Sequence, residues 1–203
     1  MNDNKTLIAI PAMDLCPTAF AYSLATLRRN SPSRISMICG ATVHEARNVL
    51  AREAVESRCD RVLWLDSDMS FDDDLLIRLG EDLDAGWDMV CGIYFKRRLP
   101  VTPVIYRHIS ATDKCEVYAD YPRDALFEVA GCGFGAVLMT TELIRRADAE
   151  FGTGPFTPLL KLSEDLSFCA RAANVGAKIG CDSRVKVGHV GQMTYGETLY
   201  RRT

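Results

Sequence analysis

Arg61-Val62-Leu63-Trp64-Leu65-Asp66-Ser67-Asp68-Met69 is a hydrophobic run that stops on two carboxylates. Arg61 to Leu65 predicts a short buried strand. In an α/β sheet, ligands bind at the carboxyl edge of such strands. Asp66 and Asp68 put two hard oxygen ligands there, suited to Mg²⁺ or Mn²⁺, and the ion can in turn hold phosphates. The rival reading is a solvated turn; the buried strand before it and the helix expected after it favour the metal. If the strand continued through Asp68, the two side chains would point to opposite faces and only one would meet the ion. The triplet makes this chain a candidate nucleotide-dependent transferase.

Outward from the triplet, the first half alternates strand and helix. Thr6 to Ile10 is a strand ending at Pro11, Thr18 to Arg29 has helical spacing, and Arg34 to Cys39 is a second strand. Thr42-Val43-His44-Glu45 matches a capping box, with Val43, Ala46, Val49 and Leu50 as the apolar face of the helix it opens. Arg47 falls on the polar side of that helix, where it either offsets phosphate charge or faces solvent. Asp72-Asp73-Asp74 precedes Leu75, Leu76 and Leu79; these acids are expected to cap a helix rather than extend the metal site. Asp88 to Phe95 is the next strand. The alternation predicts an α/β fold with a mostly parallel central sheet flanked by helices.

The second half departs from this pattern, and a smaller antiparallel portion is expected there. Val101 to Arg107 and Cys115 to Tyr121 read as exposed strands. Phe127 to Met139 reads as one strand interrupted by Gly131, Gly133 and Gly135, where either a ligand approaches the backbone or the strand bulges. A helix follows from Thr141, another runs from Ser163 to Asn174, and Lys178 to Cys181 is a short strand. Glu164 and Asp165 fall in a first helical turn, where they complement the helix dipole or serve as a general base. His189, in Gly188-His189-Val190-Gly191, is either a neutral ligand for Mn²⁺ or a loop histidine. His44 and His108 have no such context. Gln192 to Thr203, with Tyr195, Tyr200, Arg201 and Arg202, is a lid over the site or a frayed tail.

A length of 203 residues suits one domain, and a net charge of −3 gives no reason to expect non-specific binding to nucleic acid or membranes. Eight cysteines without a C-x-x-C pair read as reduced, partly buried thiols rather than a zinc cluster. The start, Met1-Asn2-Asp3-Asn4-Lys5, lacks the basic region of a secretion signal, and no apolar run is long enough to span a bilayer. A cytoplasmic location without stable membrane insertion is therefore expected.

Ala9-Ile10-Pro11-Ala12, Ala46-Arg47-Asn48, the Leu63 to Met69 segment, Gly131-Cys132-Gly133-Phe134-Gly135, Ser163 to Phe168 and Gly188 to Gly191 occur in an order that resembles the GT-A-fold glycosyltransferases, especially small stand-alone bacterial and phage enzymes. The resemblance covers most of the chain. It implies one GT-A-like, Rossmann-like domain over 1–203, with 1–100 binding the nucleotide and 101–203 completing the metal and acceptor site. It further implies Mn²⁺ or Mg²⁺, a nucleoside-diphosphate sugar as donor (UDP being commonest) and transfer to an acceptor that is a glycan, lipid-linked sugar, protein or modified nucleic-acid base. By position, Asp68 matches the direct metal ligand, Asp66 the ribose or metal-water contact, and His189 a late metal ligand. Asp165, or else Glu164, matches the catalytic base. Pro11, Arg47, Ser67 and Gly133 match positions around the donor. The loop Pro11-Ala12-Met13-Asp14 departs from the Pro-x-x-Asn-Glu pattern common in the large inverting family, which leaves the base contact unassigned. Alternatives are a nucleotidyltransferase acting on a sugar phosphate, against which the loop's lack of a basic Gly-rich segment counts, and a non-catalytic nucleotide-sugar-binding module.

Overall fold

The computed structural model describes residues 4–191 and 194–200. Its first half runs β1 (Thr6–Ala12), α1 (Thr18–Thr26), β2 (Ser33–Cys39), α2 (Val43–Glu56), β3 (Arg61–Leu65), β4 (Met69–Ser70), α3 (Leu75–Asp84) and β5 (Met89–Ile93). The second half runs β6 (Ile105–His108), β7 (Glu116–Val117), β8 (Leu126–Glu128), β9 (Gly131–Cys132), β10 (Ala136–Thr140), α4 (Thr141–Phe151), α5 (Glu164–Asn174), β11 (Ile179–Lys186), β12 (Gly188–Val190), β13 (Thr194–Tyr195) and α6 (Glu197–Tyr200).

Period-two alternation sorts the strand side chains into two cores. Leu7, Ala9, Val62, Trp64, Val137 and Met139 face a layer containing Leu50 of α2, Leu143 of α4 and Phe168 of α5. Their neighbours Ile8, Ile10, Leu63, Leu65, Ala136 and Leu138 face Phe20 of α1 and Leu75, Leu76, Leu79 and Leu83 of α3. Helices thus cover both faces of a seven-stranded sheet ordered β2-β1-β3-β10-β5-β11-β8. β1 is parallel to β2 and β3, and β5 is parallel to β11. β10 enters antiparallel between β3 and β5, and β8 is an antiparallel edge. Two three-stranded sheets, β13-β12-β4 and β7-β6-β9, complete the fold. Among the described residues no helix is long and apolar enough to cross a membrane.

Several elements differ from the sequence reading. Phe127 to Met139 is not one strand but parts of three, β8, β9 and β10, divided between the main sheet and a small one. Its glycines make this possible: a Cβ at Gly131 would press on Ile109, Leu166 and Cys169 at 3.1–3.3 Å. The helix from Thr18 stops at Thr26, because the Arg28 N–H turns to the Asp73 carbonyl at 2.7 Å and its side chain pairs with Asp73 at 3.0 Å. Asp73 is thus a loop tether, and Asp74 takes the N-cap position of α3 without a side-chain cap hydrogen bond. In α2 the capping box forms, Glu45 reaching the Thr42 N–H at 3.2 Å. Its buried face, however, is Ala46, Arg47, Leu50, Ala51 and Ala54, while Val43 and Val49 are exposed.

That face has a direct test. Leu50→Ala should cost about 2–5 kcal/mol in urea unfolding, as buried leucines do. Val49→Ala, its exposed neighbour, should stay within about 0.5 kcal/mol; equal losses would contradict the assignment.

Candidate active site

β3 ends at Leu65, and the next four residues form a turn closed by the Met69 N–H on the Asp66 carbonyl at 3.2 Å. Because β10 runs antiparallel beside β3, its start lies against the end of β3, and the Asp66 N–H reaches the Gly135 carbonyl at 3.2 Å. The glycine-rich turn and the two aspartates therefore share one edge of the sheet. The turn also sends Asp66 and Asp68 to different partners.

Asp66 meets Arg47, whose Nη2 lies 2.8 Å from Asp66 Oδ1 and 3.2 Å from Asp165 Oδ1, with Nε 3.8 Å from Glu164 Oε1. Arg47 is only 1% exposed, and its guanidinium sits 5.0–5.9 Å from the ring centroids of Trp64, Phe134 and Phe156. The expectation that it lies on the polar face of α2 is corrected: Ala46, Leu50, Ala51 and Ala54 bracket it at helical spacing and carry it into the core. Burial disfavours its charge, but Asp66, Asp165 and Glu164 outweigh that and hold it protonated. Nε and Nη1 have no hydrogen-bond partner among the described residues and lie among aromatic rings.

One cation among three carboxylates leaves the cluster short of positive charge. Asp165, in the first turn of α5, also accepts the Phe134 N–H at 3.2 Å. Burial pushes its carboxyl up, Arg47 pulls it down and Glu164 and Asp66 push it up again, to about 8. Burial raises Asp66 too, against the pull of Arg47.

Asp68 forms a second cluster. Its Oδ2 lies 3.4 Å from His189 Nε2 and 2.9 Å from Arg97 Nη1. Burial would raise this carboxyl, but His189 and Arg97 outweigh burial and lower it. β12, which carries His189, pairs with β4, which follows the turn, so the sheet itself brings the two side chains together. His189 Nδ1 lies 2.9 Å from the Phe95 carbonyl. A carbonyl only accepts, so Nδ1 carries a proton, and Nε2 is the nitrogen that faces the Asp68 carboxylate. With Nε2 unprotonated, its lone pair and the adjacent carboxylate would be donors of the kind a divalent cation takes, with the second ring nitrogen fixed from behind as metal-binding histidines usually are. Asp68 and His189 therefore suit such an ion. Asp66 pairs with Arg47 while still feeling the charges of Asp68 and His189, and no three His, Cys, Asp or Glu side chains converge on one point among the described residues.

Pro11 is buried at the end of β1, beyond Ala9, the last residue paired with β3, and Ser67 is buried within the turn. The space beside Gly133 belongs to the protein: a Cβ there would collide with the Tyr94 hydroxyl and lie 2.7 Å from Val104. Of the C-terminal stretch, Gln192, Arg201 and Arg202 lie outside the described residues, as does the Tyr195 side chain. The described part is docked, not frayed. Tyr200 donates to the Ala119 carbonyl at 2.7 Å and packs on Phe95, and Glu197 bridges Arg123 and Lys186. Sequence reasoning missed Arg97, Tyr94 and the aromatic bed of Arg47. Lys96-Arg97-Arg98, at the end of a buried strand, was the available signal for the first.

No protein-family model and no curated protein sequence matches the chain. Solved structures do. A197 from STIV superposes with a TM-score of 0.67 at 19% identity, over 93% of this chain and 86% of that one. S. aureus TarS 1-349 does so at 0.53 and 15%, over 88% and 57%, and GalNAc-T7 with UDP, GalNAc and Mn²⁺ at 0.61 and 7%, over 94% and 44%. The chain thus spans little more than half of that TarS structure and less than half of GalNAc-T7. TarS and GalNAc-T7 are glycosyltransferases, and this chain has a GT-A-like glycosyltransferase fold.

Two outcomes follow from the Arg47 cluster. Arg47→Ala strands buried carboxylates and should cost about 3–5 kcal/mol near pH 8, as loss of a buried ion-pair partner does, measured by urea unfolding. Asp165 keeps a proton in the folded protein that the unfolded chain releases near pH 4. Its contribution is fully present below about pH 4, falls as pH rises and is gone above about 8. Without donor, the thermal midpoint should therefore drop between pH 5 and 8.5 more steeply in the native protein than in Asp165→Asn; equal slopes would contradict it.

Proposed function

We propose that this protein is a metal-dependent glycosyltransferase that moves a sugar from a nucleoside-diphosphate donor to an acceptor hydroxyl. The observation that carries this reading is the pairing of Asp68 with Nε2 of His189 at the carboxyl edge of β3, within a GT-A-like fold. GalNAc-T7 was solved with UDP and Mn²⁺, which makes UDP the first donor base to test.

In this reading Asp68 and His189 hold Mn²⁺ or Mg²⁺, and residues 1–100 supply most of the nucleotide site. A bound ion would offset the charge that builds on the departing diphosphate. Two protein ligands make a weak site alone, so the donor's phosphates complete it. Asp66, held by Arg47, stands at the edge where the ribose or an ion-bound water would lie. Asp165 takes the acceptor's proton if configuration inverts. A carboxyl raised to about 8 is matched to proton transfer near neutral pH, and Arg47 beside it stabilises the charged form once the proton leaves. The loop after β1, Met13-Asp14-Leu15-Cys16, is exposed and holds no basic residue, which weighs against a nucleotidyltransferase.

A thermal-shift panel of UDP, GDP, CDP, ADP and dTDP with and without Mn²⁺ tests the reading. One nucleotide should stabilise the protein only with Mn²⁺, by about 2.7 kcal/mol at a hundred times its Kd. Asp68→Ala should lose the effect. Asp165→Asn should keep it while transfer falls about 10²–10⁴-fold. No metal-dependent shift with any nucleotide would refute the proposal.

A further inference from the structure

Arg97 lies outside every role assigned above, yet it touches the proposed metal ligand. Its Nη1 is 2.9 Å from Asp68 Oδ2 and donates to the Val190 carbonyl at 2.9 Å. His189 Nε2 faces the same Oδ2. One carboxylate oxygen and one carbonyl thus hold a cation that the protein supplies itself, on the same Oδ2 that His189 faces.

We infer that Arg97 is the resident cation of Asp68, that it yields this carboxylate to the divalent ion, and that it then binds the donor's diphosphate; the inference rests on the nucleotide-sugar reading above. A doubly charged ion on Asp68 Oδ2 and a guanidinium within hydrogen-bonding distance of the same atom repel each other, so one must leave. Arg97 is built to leave. Its side chain is 43% exposed, so its charge passes to water without being stranded. Its backbone does not need to follow. The Lys96 N–H is fixed on the Thr102 carbonyl at 2.9 Å, and Phe95 is bridged to Pro103, so a side-chain rotation suffices. Of its basic neighbours, Lys96 is turned over the Tyr106 ring, away from this exchange.

The destination follows from charge and shape. The donor would bring two phosphates to the ion on Asp68, next to the released guanidinium, and a planar fork of donors matches phosphate oxygens in pairs. The same strand end also orients the histidine, since the Phe95 carbonyl holds His189 Nδ1 two residues before Arg97. Metal and nucleotide then each help the other to bind: the ion must displace Arg97, and the diphosphate rewards the displacement.

The test measures Mn²⁺ affinity by electron paramagnetic resonance, with and without UDP, for the native protein, Arg97→Gln, Arg97→Lys and Asp68→Ala. Without UDP, Arg97→Gln should bind Mn²⁺ about fivefold more tightly, the equivalent of a partly exposed ion pair removed. The enhancement of Mn²⁺ binding by UDP should shrink by about tenfold, as lost phosphate contact adds to lost competition. Arg97→Lys, which keeps the charge but not the fork, should keep native Mn²⁺ affinity without UDP and lose part of the UDP enhancement. Arg97→Gln with native Mn²⁺ affinity and native UDP enhancement would overturn this inference alone. Native protein that binds no Mn²⁺ even with UDP, or Asp68→Ala that binds it normally, would overturn the metal reading itself.

Discussion

The buried guanidinium of Arg47 organises the site. Wedged among Trp64, Phe134 and Phe156, it joins α2, the end of β3, the glycine turn before β10 and the first turn of α5 at one point. A charge so buried is retained only if its partners are fixed around it. Asp66, Asp165 and Glu164 are those partners, Asp66 from the turn after β3 and the other two from the first turn of α5. The stability of the core and the geometry of the site are therefore one problem in this protein.

The turn after β3 divides the acidic residues between two cations. Asp66 belongs to the inner cluster, which is lined by aromatic rings and pushes the Asp165 carboxyl up to about 8. Asp68 belongs to the outer cluster with His189 and Arg97, whose side chain, unlike that of Arg47, is exposed. Two aspartates two positions apart thus have different partners: Asp66 pairs with the buried Arg47, and Asp68 with Arg97 and His189. The antiparallel entry of β10 makes this possible, because it places Gly135 against Asp66 and Phe134 against Asp165.

Much of the frame was legible in the sequence, because β1, β3 and β5 are short apolar runs between helical segments, and local periodicity reports burial. Asp68, His189 and Asp165 were legible as motifs. What the sequence concealed was non-local. The glycine-rich stretch had no local sign that it would split between two sheets, since that depends on Ile109, Leu166 and Tyr94 packing where side chains are missing. Arg47 read as lying on the polar side of α2, because its charge argues for exposure and Val43 and Val49 drew the apolar face away from it; Ala51 and Ala54 complete the face that buries it. The partnership of Arg97 with Asp68 spans 29 positions and depends on how β5 and β12 end together, which no short pattern encodes.

The most direct test of the account is a manganese anomalous difference map from crystals grown with UDP and Mn²⁺. The account predicts one strong peak bound by Asp68 and His189, with UDP phosphates on it and Asp66 still paired with Arg47. UDP bound with no peak at Asp68, or a peak at Asp66 instead, would contradict it.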